Sequence, residues 1–376
     1  MSRREFTLGI LGGGQLGRMF TSAARTMGYD VVILDPDPEA PAAHFASRHL
    51  CAPFTDTTAL NDLARSCSAV TTEFENVPAA SLEILASETL VRPRAQAVAI
   101  AQNRILEKSF LQEQGIAVGA FAVARCRESL MHGLRQVGLP AIIKTSRFGY
   151  DGKGQYRIDT FEQAADLLER EPTMLPVVIE ALLPLDLEIS VILARSAHQA
   201  IRFWSVAENR HRQGILDVTI APARIPEVLA QQARDTAATI AQQLDYVGVM
   251  AVEFFVSQGR LLVNEMAPRP HNSGHYTLDA CVTSQFEQQV RMLAGLPAGS
   301  TEQLRPAVMV NLLGELWAEG TPPWALLLAQ PEVKLHLYGK QDPRPGRKMG
   351  HFTVLGATLE QALSTAERLR QHLQRE

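Results

Sequence analysis

Two glutamates near residue 260 are spaced so that they could hold one cation. Val252–Val256 and Arg260–Met266 are apolar runs typical of strands, and a three-residue turn signal separates them. With a three-residue loop, Glu253 faces Val263, and Glu265 lies one diagonal step away on the same sheet face. The two carboxylates repel unless a cation or a proton intervenes, and Mg²⁺ suits oxygen ligands and usually brings substrate phosphates with it. A solvated hairpin face is the alternative.

A lysine and a glycine-rich loop form a second group of phosphate-binding candidates. Ala141–Ile143 has the pattern of a buried strand, and Lys144 follows it, where an ammonium could reach a nucleotide phosphate. Residues 147–155 read RFGYDGKGQ, which predicts a mobile loop whose backbone N–H groups close over phosphates. The loop does not have the Walker A sequence, and a flexible hairpin tip is the simpler interpretation.

Further segments carry weaker signals of nucleotide binding. The helix predicted over Ala95–Gln114 contains Arg104, which is either a phosphate ligand or a surface charge. A predicted strand leads into Glu180–Leu183, an edge at which backbone groups could bind an adenine amino group. Glu188 begins a strand and could bind a ribose, while His211 is flanked by polar residues and has no evident core role.

The N-terminal segment predicts a βαβ unit with a parallel sheet. Residues 6–34 read as a strand, a helix and a second strand. Gly12, Gly14 and Gly17 match the dinucleotide fingerprint GxGxxG, and Asp35 follows the second strand. A glycine-rich turn at a helix N-terminus presents free N–H groups to an anion, which could be a pyrophosphate or a sugar phosphate. An NAD-binding site is therefore one interpretation.

Two acidic residues beyond the next strand weaken that interpretation. Ala69–Thr72 has the pattern of a strand and runs into Glu73 and Glu75. Acidic groups at the carboxyl edge of a parallel sheet lie where ligands bind, and they suit a polar or cationic ligand better than pyrophosphate. Capping of a helix that begins near Pro78 is the alternative for either glutamate.

The overall composition is that of an ordinary globular protein of two or three domains. The net charge of −4 argues against a general nucleic-acid or membrane-surface binder. The four cysteines are scattered and include no CxxC pair, which favours reduced thiols in a cytoplasmic protein over disulfides or a zinc site. The N-terminal apolar patch is interrupted by glycines and has the pattern of neither a signal peptide nor a membrane span.

Taken together, these segments resemble the ATP-grasp superfamily, and within it the family of N5-carboxyaminoimidazole ribonucleotide synthetases. The resemblance spans Leu8 to about Val354 and is carried by the motifs GGGQLGRM, TEFENVP, RFGYDGKGQ, NEMAPRPHNSGH and GRKMGH. It implies an α/β (mixed α+β) fold with a Rossmann-like pre-ATP-grasp domain over residues 1–98 and an ATP-grasp domain over 99–300. A mobile lid subdomain is expected at about 117–184, and a small β-rich C-terminal domain over 301–376.

The resemblance also implies a reaction. ATP phosphorylates bicarbonate to carboxyphosphate, and the carboxyl group, released as CO2, is captured by the 5-amino group of 5-aminoimidazole ribonucleotide. The products are ADP, phosphate and the N-carboxylated nucleotide of purine biosynthesis. The family implies no nucleic-acid or membrane partner, a homodimer, and a product handed to an N5-carboxyaminoimidazole ribonucleotide mutase.

Site residues follow from the matching motif positions. Glu253 and Glu265 would hold Mg²⁺, and Lys144, Arg269 and His271 would act in the chemistry. The residues expected around ATP are Arg104, Lys144, Gly149, Tyr150, Asp151, Gly152, Lys153, Gly154, Gln155, Glu180, Ala181, Leu182, Leu183, Glu188, His211, Asn264 and Glu265. The residues expected around the nucleotide substrate are Gly14, Gln15, Leu16, Glu73, Tyr150, Asp151, Arg269, His271, Asn272, Lys340, Arg347 and Lys348.

Two positions depart from the wider superfamily. Many relatives have an asparagine two residues after the second metal glutamate, where this chain has Ala267, and Asn264 precedes the glutamate instead. The departure argues against a third metal ligand from this strand. Asp35 has no ribose role in the family. The competing hypotheses are a formate-using transformylase or biotin-carboxylase-like ligase, an NAD-dependent oxidoreductase, and a nucleotide sensor without turnover.

Overall fold

The computed structural model describes residues 6–147, 149 and 154–373. The N-terminal part is a parallel sheet of five strands in the order β3-β2-β1-β4-β5. The strands are β1 (Thr7–Leu11), β2 (Asp30–Leu34), β3 (Arg48–Leu50), β4 (Ala69–Thr72) and β5 (Leu90–Val91), and the helices are α1 (Gln15–Thr26), α2 (Thr57–Ser66), α3 (Ala79–Ala86) and α4 (Ala95–Ala101). This arrangement confirms the predicted Rossmann-like opening.

The next part is an antiparallel sheet in the order β6-β9-β7-β8, which corresponds to the predicted lid. Its strands are β6 (Phe121–Ala124), β7 (Ala141–Thr145), β8 (Gln155–Ile158) and β9 (Val177–Ala181), and the neighbouring helices are α5 (Arg104–Glu113), α6 (Arg127–Val137) and α7 (Phe161–Arg170). The single helix predicted over Ala95–Gln114 is wrong. It is divided at Asn103, whose side chain caps α5 by accepting a hydrogen bond from the backbone N–H of Ile105 at 3.0 Å.

The remaining strands form one large antiparallel sheet in the order β15-β14-β10-β12-β13-β16-β18-β17, with β11 paired to β10. Its strands are β10 (Leu187–Arg195), β11 (Ile201–Phe203), β12 (Ala207–Arg212), β13 (Ile215–Ala221), β14 (Gly248–Ser257), β15 (Arg260–Ala267), β16 (Ala307–Leu313), β17 (Val333–Leu337) and β18 (Lys348–Leu355). The accompanying helices are α8 (Glu227–Gln243), α9 (Thr277–Ala280), α10 (Gln285–Leu293), α11 (Trp324–Leu328) and α12 (Leu359–Leu373), with short 3₁₀ helices at Asn272–Gly274 and Gly314–Trp317. The C-terminal strands therefore continue the sheet that carries the paired glutamates.

Packing joins these parts around several cores. Helix α10 lies against α1, so that Phe286 and Val290 share a core with Leu16 and Phe20 of the N-terminal part. Helix α8 packs on β10, β14 and β15 of the large sheet, and α12 packs on β16 and β18. In the part of the chain that the structure describes, no helix is both long and apolar enough to cross a membrane.

The hairpin of β14 and β15 has a different register from the predicted one. Ser257 pairs with Arg260, which leaves a two-residue loop. Gln258 and Gly259 both have positive φ, 51° and 71°, as the tight hairpin turn of type I′ requires. This loop alone would place Asn264 opposite Glu253, but a β-bulge shifts the register by one residue. Glu253 therefore lies directly opposite Glu265 rather than opposite Val263.

The glycine-rich turn before α1 binds the chain's own carboxylates. The backbone N–H groups of Gly14 and Leu16 donate to Glu73 at 2.5 and 3.0 Å, and the N–H of Gly13 donates to Asp35 at 2.7 Å. The N-terminus of α1 therefore already carries a negative group, which removes the basis for a pyrophosphate there. Glu73 bonds the turn before α1 and Glu75 bonds Arg269, so the alternative in which either glutamate caps α3 is not what the structure shows.

Gly17 is a glycine of this segment at which an added side chain would meet the backbone. A Cβ atom at this position would lie 2.5 Å from the carbonyl oxygen of Gly12, which is backbone and cannot turn away. We therefore expect Gly17→Ala to lower the free energy of unfolding by about 1–3 kcal/mol through overpacking. Thermal unfolding of Gly17→Ala beside Ser22→Ala, an exposed position of the same helix, measures the effect. Equal melting temperatures of the two variants would contradict the close approach.

Candidate functional site

A cleft of about 300 Å³ lies between the four-stranded sheet and the edge of the large sheet. It brings together many of the residues predicted to bind ATP or metal. Those that line it are Arg104, Lys144, Gln155, Glu180, Ala181, Leu182, Leu183, Glu188, His211, Glu253, Asn264, Glu265, His271 and Lys348. A more open groove of about 860 Å³ between α5, α8 and the hairpin contains none of the predicted site residues.

The paired glutamates at the floor of the cleft differ in their electrostatics. Burial would raise the pKa of Glu265, but the charges of Arg104 and Lys144, with the hydrogen bond from Arg104 at 3.0 Å, together lower it. Burial and the neighbouring Glu265 raise the pKa of Glu253 to about 7. His271 Nε2 lies 3.4 Å from Glu253. The pair therefore has more negative charge than its protein neighbours neutralise at neutral pH.

The residues present fit a divalent cation. Among the described residues no cluster of three or more His, Cys, Asp or Glu side chains is arranged to hold a metal, so the two carboxylates are the protein's charged contribution. Such a small ligand set suits Mg²⁺, which keeps water and phosphate oxygens as its other ligands. Asn264 Oδ1 is buried in the same cleft and has no hydrogen-bond partner among the described residues, as expected of a group that meets a ligand.

Lys144 lies at the centre of a buried cluster of charges. Its Nζ donates to Glu180 at 2.7 Å, and Lys108 Nζ lies 3.3 Å from the other oxygen of the same carboxylate. Burial would raise the pKa of Glu180, but the charges of Lys144 and Lys108 together hold it at about 2. Burial lowers the pKa of Lys144, and the repulsion from Arg104 adds to this, so that the attraction of Glu180 does not fully compensate. The cluster provides two ammonium groups beside the cleft.

Glu188 and His211 form a second polar pair in the cleft wall. His211 Nδ1 lies 2.9 Å from Glu188 Oε2. Burial would lower the pKa of His211, but the hydrogen bond to Glu188 and the charge of Glu253 raise it. A β-bulge shifts the register of β12 and β13 between Arg210 and His211, next to this pair.

The glycine lid is described in part. Gly149 O accepts a hydrogen bond from Arg104 Nη2 at 3.4 Å, and Gly154 has a φ of 69°. Gln155 begins β8 and lines the cleft. Tyr150, Asp151, Gly152 and Lys153 lie outside the described residues, and their predicted contacts with ATP and substrate stay predictions.

Arg269 marks the side of the site that faces the N-terminal part. Its Nε donates to Glu75 at 2.5 Å, and its Nη1 donates to Pro270 O at 3.1 Å. The guanidinium outweighs burial and lowers the pKa of Glu75. Glu75 is not among the predicted site residues. Its position two residues after Glu73, at the carboxyl edge of the predicted sheet, could have indicated it. Arg269 is thus oriented by a carboxylate from the N-terminal sheet.

The contacts of the His271 imidazole determine which of its nitrogens carries the proton. Its Nδ1 accepts a hydrogen bond from the backbone N–H of Ser273 at 3.3 Å and lies 2.9 Å from the Ser273 hydroxyl. Because a backbone N–H only donates, Nδ1 is unprotonated and Nε2 carries the proton. Burial and the nearby Arg269 and Lys348 hold the pKa of His271 well below its ordinary value. His271 is therefore a neutral hydrogen-bond donor.

The predicted substrate contact of Asn272 competes with a bond inside the protein. Asn272 and Asn311 of β16 form a reciprocal amide pair, with N···O distances of 3.1 and 2.7 Å. The Asn272 side chain is buried. In this structure the pair fixes the loop of His271 to the C-terminal strands, and the contact of Asn272 with substrate stays a prediction.

The basic loop after β17 reaches the N-terminal part. Lys340 Nζ donates to Gln15 Oε1 at 2.6 Å and to Lys348 O at 2.7 Å. Arg347 Nη1 donates to Asp342 O within its own loop at 2.8 Å. Gln15, Lys340 and the Gly14 turn therefore lie together, as expected for the nucleotide substrate, whereas Lys348 lines the cleft beside His271.

The charges around Glu180 predict a specific response to acid. Because the folded pKa is about 2 and the ordinary value is 4.5, its stabilisation is complete above pH 4.5 and is lost as the pH falls toward 2. We expect Glu180→Gln to cost roughly 3 kcal/mol at pH 7, since it leaves two buried cations without their partner. Its melting-temperature deficit should shrink between pH 5 and about pH 2.5. Glu169→Gln, exposed on α7, is the control, and a deficit independent of pH would contradict the ion pair.

Three domain families match consecutive parts of the chain. Residues 6–102 match the ribonucleotide synthetase preATP-grasp domain, 109–286 the ATP-grasp domain, and 307–365 the phosphoribosylaminoimidazole carboxylase C-terminal domain. The chain is 42% identical over 353 residues to the N5-carboxyaminoimidazole ribonucleotide synthase of Bacillus subtilis strain 168, covering 93% of this chain and 91% of that protein.

Solved structures agree with these matches. A crystal structure of an ADP complex of N5-carboxyaminoimidazole ribonucleotide synthetase superposes with a TM-score of 0.92 at 38% identity, covering 98% of this chain and 97% of the other. The Aspergillus clavatus synthase, in complex with ADP and 5-aminoimidazole ribonucleotide, gives a TM-score of 0.91 at 30% identity over 100% of both chains. These similarities extend over the cleft, the hairpin and the basic loop. The chain therefore belongs to the N5-carboxyaminoimidazole ribonucleotide synthase family.

Proposed function

We propose that this protein uses ATP and bicarbonate to carboxylate the 5-amino group of 5-aminoimidazole ribonucleotide. The main support is the position of the β14–β15 hairpin and of the loop that follows it, because their side chains lie on both sides of the site. Glu253, Glu265 and His271 face the cleft with Lys144, while Arg269 of the same segment bonds Glu75 of the N-terminal part. One segment thus connects a phosphoryl-transfer site to an acceptor site.

On the ATP side, positioning and charge neutralisation are the main tasks. Phosphoryl transfer from ATP to bicarbonate breaks the bond to the γ-phosphorus, forms carboxyphosphate and leaves ADP. Lys144, oriented by Glu180, and Arg104, oriented by Glu265, present cations to the phosphates. Glu253 and Glu265 would hold Mg²⁺, which when bound neutralises phosphate charge. The cleft is narrow and lined by buried groups, which protects a short-lived acyl phosphate from water.

On the acceptor side, the neutral His271 and the cationic Arg269 suit an anion. Arg269 keeps its guanidinium beside Glu75, and His271 presents Nε2–H into the cleft. These donors would bind bicarbonate and then the carboxyphosphate oxygens. Carboxyphosphate breaks at the C–O bond to its phosphate and gives CO2 and phosphate. The amine of the nucleotide then attacks the CO2 carbon, a C–N bond forms as one C=O π bond becomes C–O⁻, and the proton of the nitrogen passes to the released phosphate. Because Nδ1 of His271 already accepts a backbone N–H, His271 acts as a donor and not as the base.

The nucleotide would lie between the N-terminal turn and the basic loop. Gly14, Gln15, Leu16 and Glu73 form one wall, and Lys340 reaches it from the other side. Lys340, Arg347 and Lys348 would bind the 5′-phosphate, for which cationic donors are suited. Since Glu73 already accepts two N–H groups, its contribution would be to shape the turn.

Several further expectations remain part of this proposal. The division at residues 98 and 300 is supported by the change of sheet near the first boundary, although the strands after the second continue the large sheet. A cytoplasmic location is supported by the four cysteines, none of which forms a disulfide with another described residue. The homodimer and the transfer of product to a mutase rest on the family, and transfer would suit a labile carbamate.

The direct test is ADP release from ATP and Mg²⁺ in the presence of 5-aminoimidazole ribonucleotide. We expect ADP release to require both the nucleotide and bicarbonate for full rate, with one carboxylated nucleotide formed per ADP. Formate in place of bicarbonate should give no nucleotide product. Product formation with formate but not with bicarbonate would assign the protein to the transformylases instead, and no turnover of ATP under any of these conditions would refute a ligase.

Lys340 gives a test of the nucleotide site. Lys340→Ala should raise the Michaelis constant for 5-aminoimidazole ribonucleotide at least tenfold and change that for ATP less than twofold, because the ammonium lies at the N-terminal turn, away from Lys144. Lys334→Ala, an exposed lysine of β17, is the matched control and should leave both constants unchanged. Equal increases in both constants for Lys340→Ala would contradict a phosphate-binding role.

A further inference from the structure

Strand β15 is the edge of the large sheet, and its outer side is bonded by two consecutive residues of α5. Lys108 Nζ donates to the carbonyl oxygen of Asn264 at 2.9 Å. Glu107 Oε1 accepts the backbone N–H of Met266 at 2.7 Å. Both side chains are 2% exposed, so these bonds are inside the protein. An edge strand leaves such groups unpaired unless another element satisfies them.

The carbonyl group of Asn264 and the N–H group of Met266 flank Glu265, one of the two proposed metal ligands. Asn264 is the extra residue that the bulge introduces, and Met266 resumes regular pairing with Val252. Successive side chains of a strand point to opposite faces. Without the bulge Asn264 would lie opposite Glu253, and Glu265 would point to the other face of the sheet. The bulge therefore decides whether the two carboxylates share a face.

Helix α5 thus bonds the Glu265 side chain and the backbone of the residue on each side of it. Arg104, one turn before, bonds the Glu265 carboxylate at 3.0 Å. Lys108 bonds the carbonyl of the preceding residue, and Glu107 bonds the amide of the following one. The helix begins at the cap provided by Asn103, and the N–H of Arg104 donates to Ser146 O at 2.9 Å, so its position is fixed at the end of β7.

We propose that Glu107 and Lys108 are positioning residues, which hold the β15 bulge and so keep Glu265 opposite Glu253. The inference rests on the proposed assignment of these two glutamates to the metal. Neither positioning residue belongs to the predicted ATP or substrate contacts. Glu107 acts through the Met266 amide, and what this requires is a hydrogen-bond acceptor at Oε1, not a negative charge.

Glu107 is the better residue to test, because Lys108 also approaches Glu180 and its loss would disturb the ATP side directly. Glu107→Gln keeps an acceptor at the same position, whereas Glu107→Met has a similar length and keeps none. Glu113→Met makes the same substitution on the same helix at an exposed position and is the matched control. Circular dichroism and thermal unfolding establish that each variant is folded.

The readout is the affinity for ADP by titration calorimetry, measured with excess Mg²⁺ and again with EDTA. The ratio of the two dissociation constants reports the contribution of the metal. We expect Mg²⁺ to tighten ADP binding in the wild type and in Glu113→Met. In Glu107→Met the ratio should fall at least tenfold, while the affinity for ADP in EDTA changes less than twofold. Glu107→Gln should keep the wild-type ratio.

The outcomes separate the inference from the function on which it rests. If Glu265→Gln keeps the wild-type ratio, the assignment of the metal is wrong whatever Glu107 does. If Glu265→Gln loses the ratio but Glu107→Met keeps it, the metal assignment stands and the positioning role is overturned. Loss in both Glu107→Met and Glu107→Gln would also overturn it, since the charge would then be what matters.

A measurement on the unsubstituted protein covers the case in which Glu107→Met does not fold. Hydrogen exchange of the Met266 amide, followed by NMR, should be at least a hundredfold slower than that of an unstructured amide, because its N–H is bonded to a buried carboxylate. Exchange of Met266 at the rate of an unprotected amide would contradict the bond to Glu107.

Discussion

The carboxylates of Glu253 and Glu265 lie opposite each other on β14 and β15, and like charges repel strongly where they are partly shielded from water. The surroundings of the pair reflect this constraint. Arg104 is bonded to one carboxylate, and the imidazole of His271 stands near the other. Burial and the repulsion from Glu265 raise the pKa of Glu253 to about 7, so its negative charge is incompletely compensated by the protein. The proposed function places a bound cation beside that remaining charge, where the cation would also bring ATP phosphates to Lys144.

The loop that follows this hairpin depends on the N-terminal sheet and on the C-terminal strands for its orientation. It contains Arg269 and His271, which the N-terminal sheet and the C-terminal strands orient through Glu75 and through the amide pair of Asn272 and Asn311. The loop of Arg269 and His271 is therefore oriented by both the N-terminal sheet and the C-terminal strands. Helix α10 packs on α1 and adds to the rigidity of that junction. Carboxyphosphate would form and react within one continuous segment.

Much of this arrangement could be predicted from residue patterns. The strand pattern placed Glu253 and Glu265 on one face of the sheet, and the motifs led to the ATP-grasp fold. The predicted register was nevertheless wrong, because the loop has two residues and a bulge follows. A bulge depends on contacts made by a distant helix, here Glu107 and Lys108, and such partners have no local signal.

The glycine turn illustrates the same limit. Its spacing matches a dinucleotide site, but spacing does not reveal what occupies the helix N-terminus. In the structure that place is taken by Glu73 from a different strand, and Asp35 bonds Gly13 instead of a ribose. Likewise, the pattern of Ala95–Gln114 is helical throughout, and the break at Asn103 follows from the side chain's ability to cap α5.

The central claim is that Glu253 and Glu265 jointly hold the metal that accompanies ATP. Anomalous diffraction from crystals grown with Mn²⁺ and ADP, recorded at the manganese edge, locates that ion directly. The account predicts an anomalous peak within about 2.5 Å of an oxygen of each carboxylate, in contact with the ADP phosphates. A manganese peak on the nucleotide that contacts neither glutamate would contradict it.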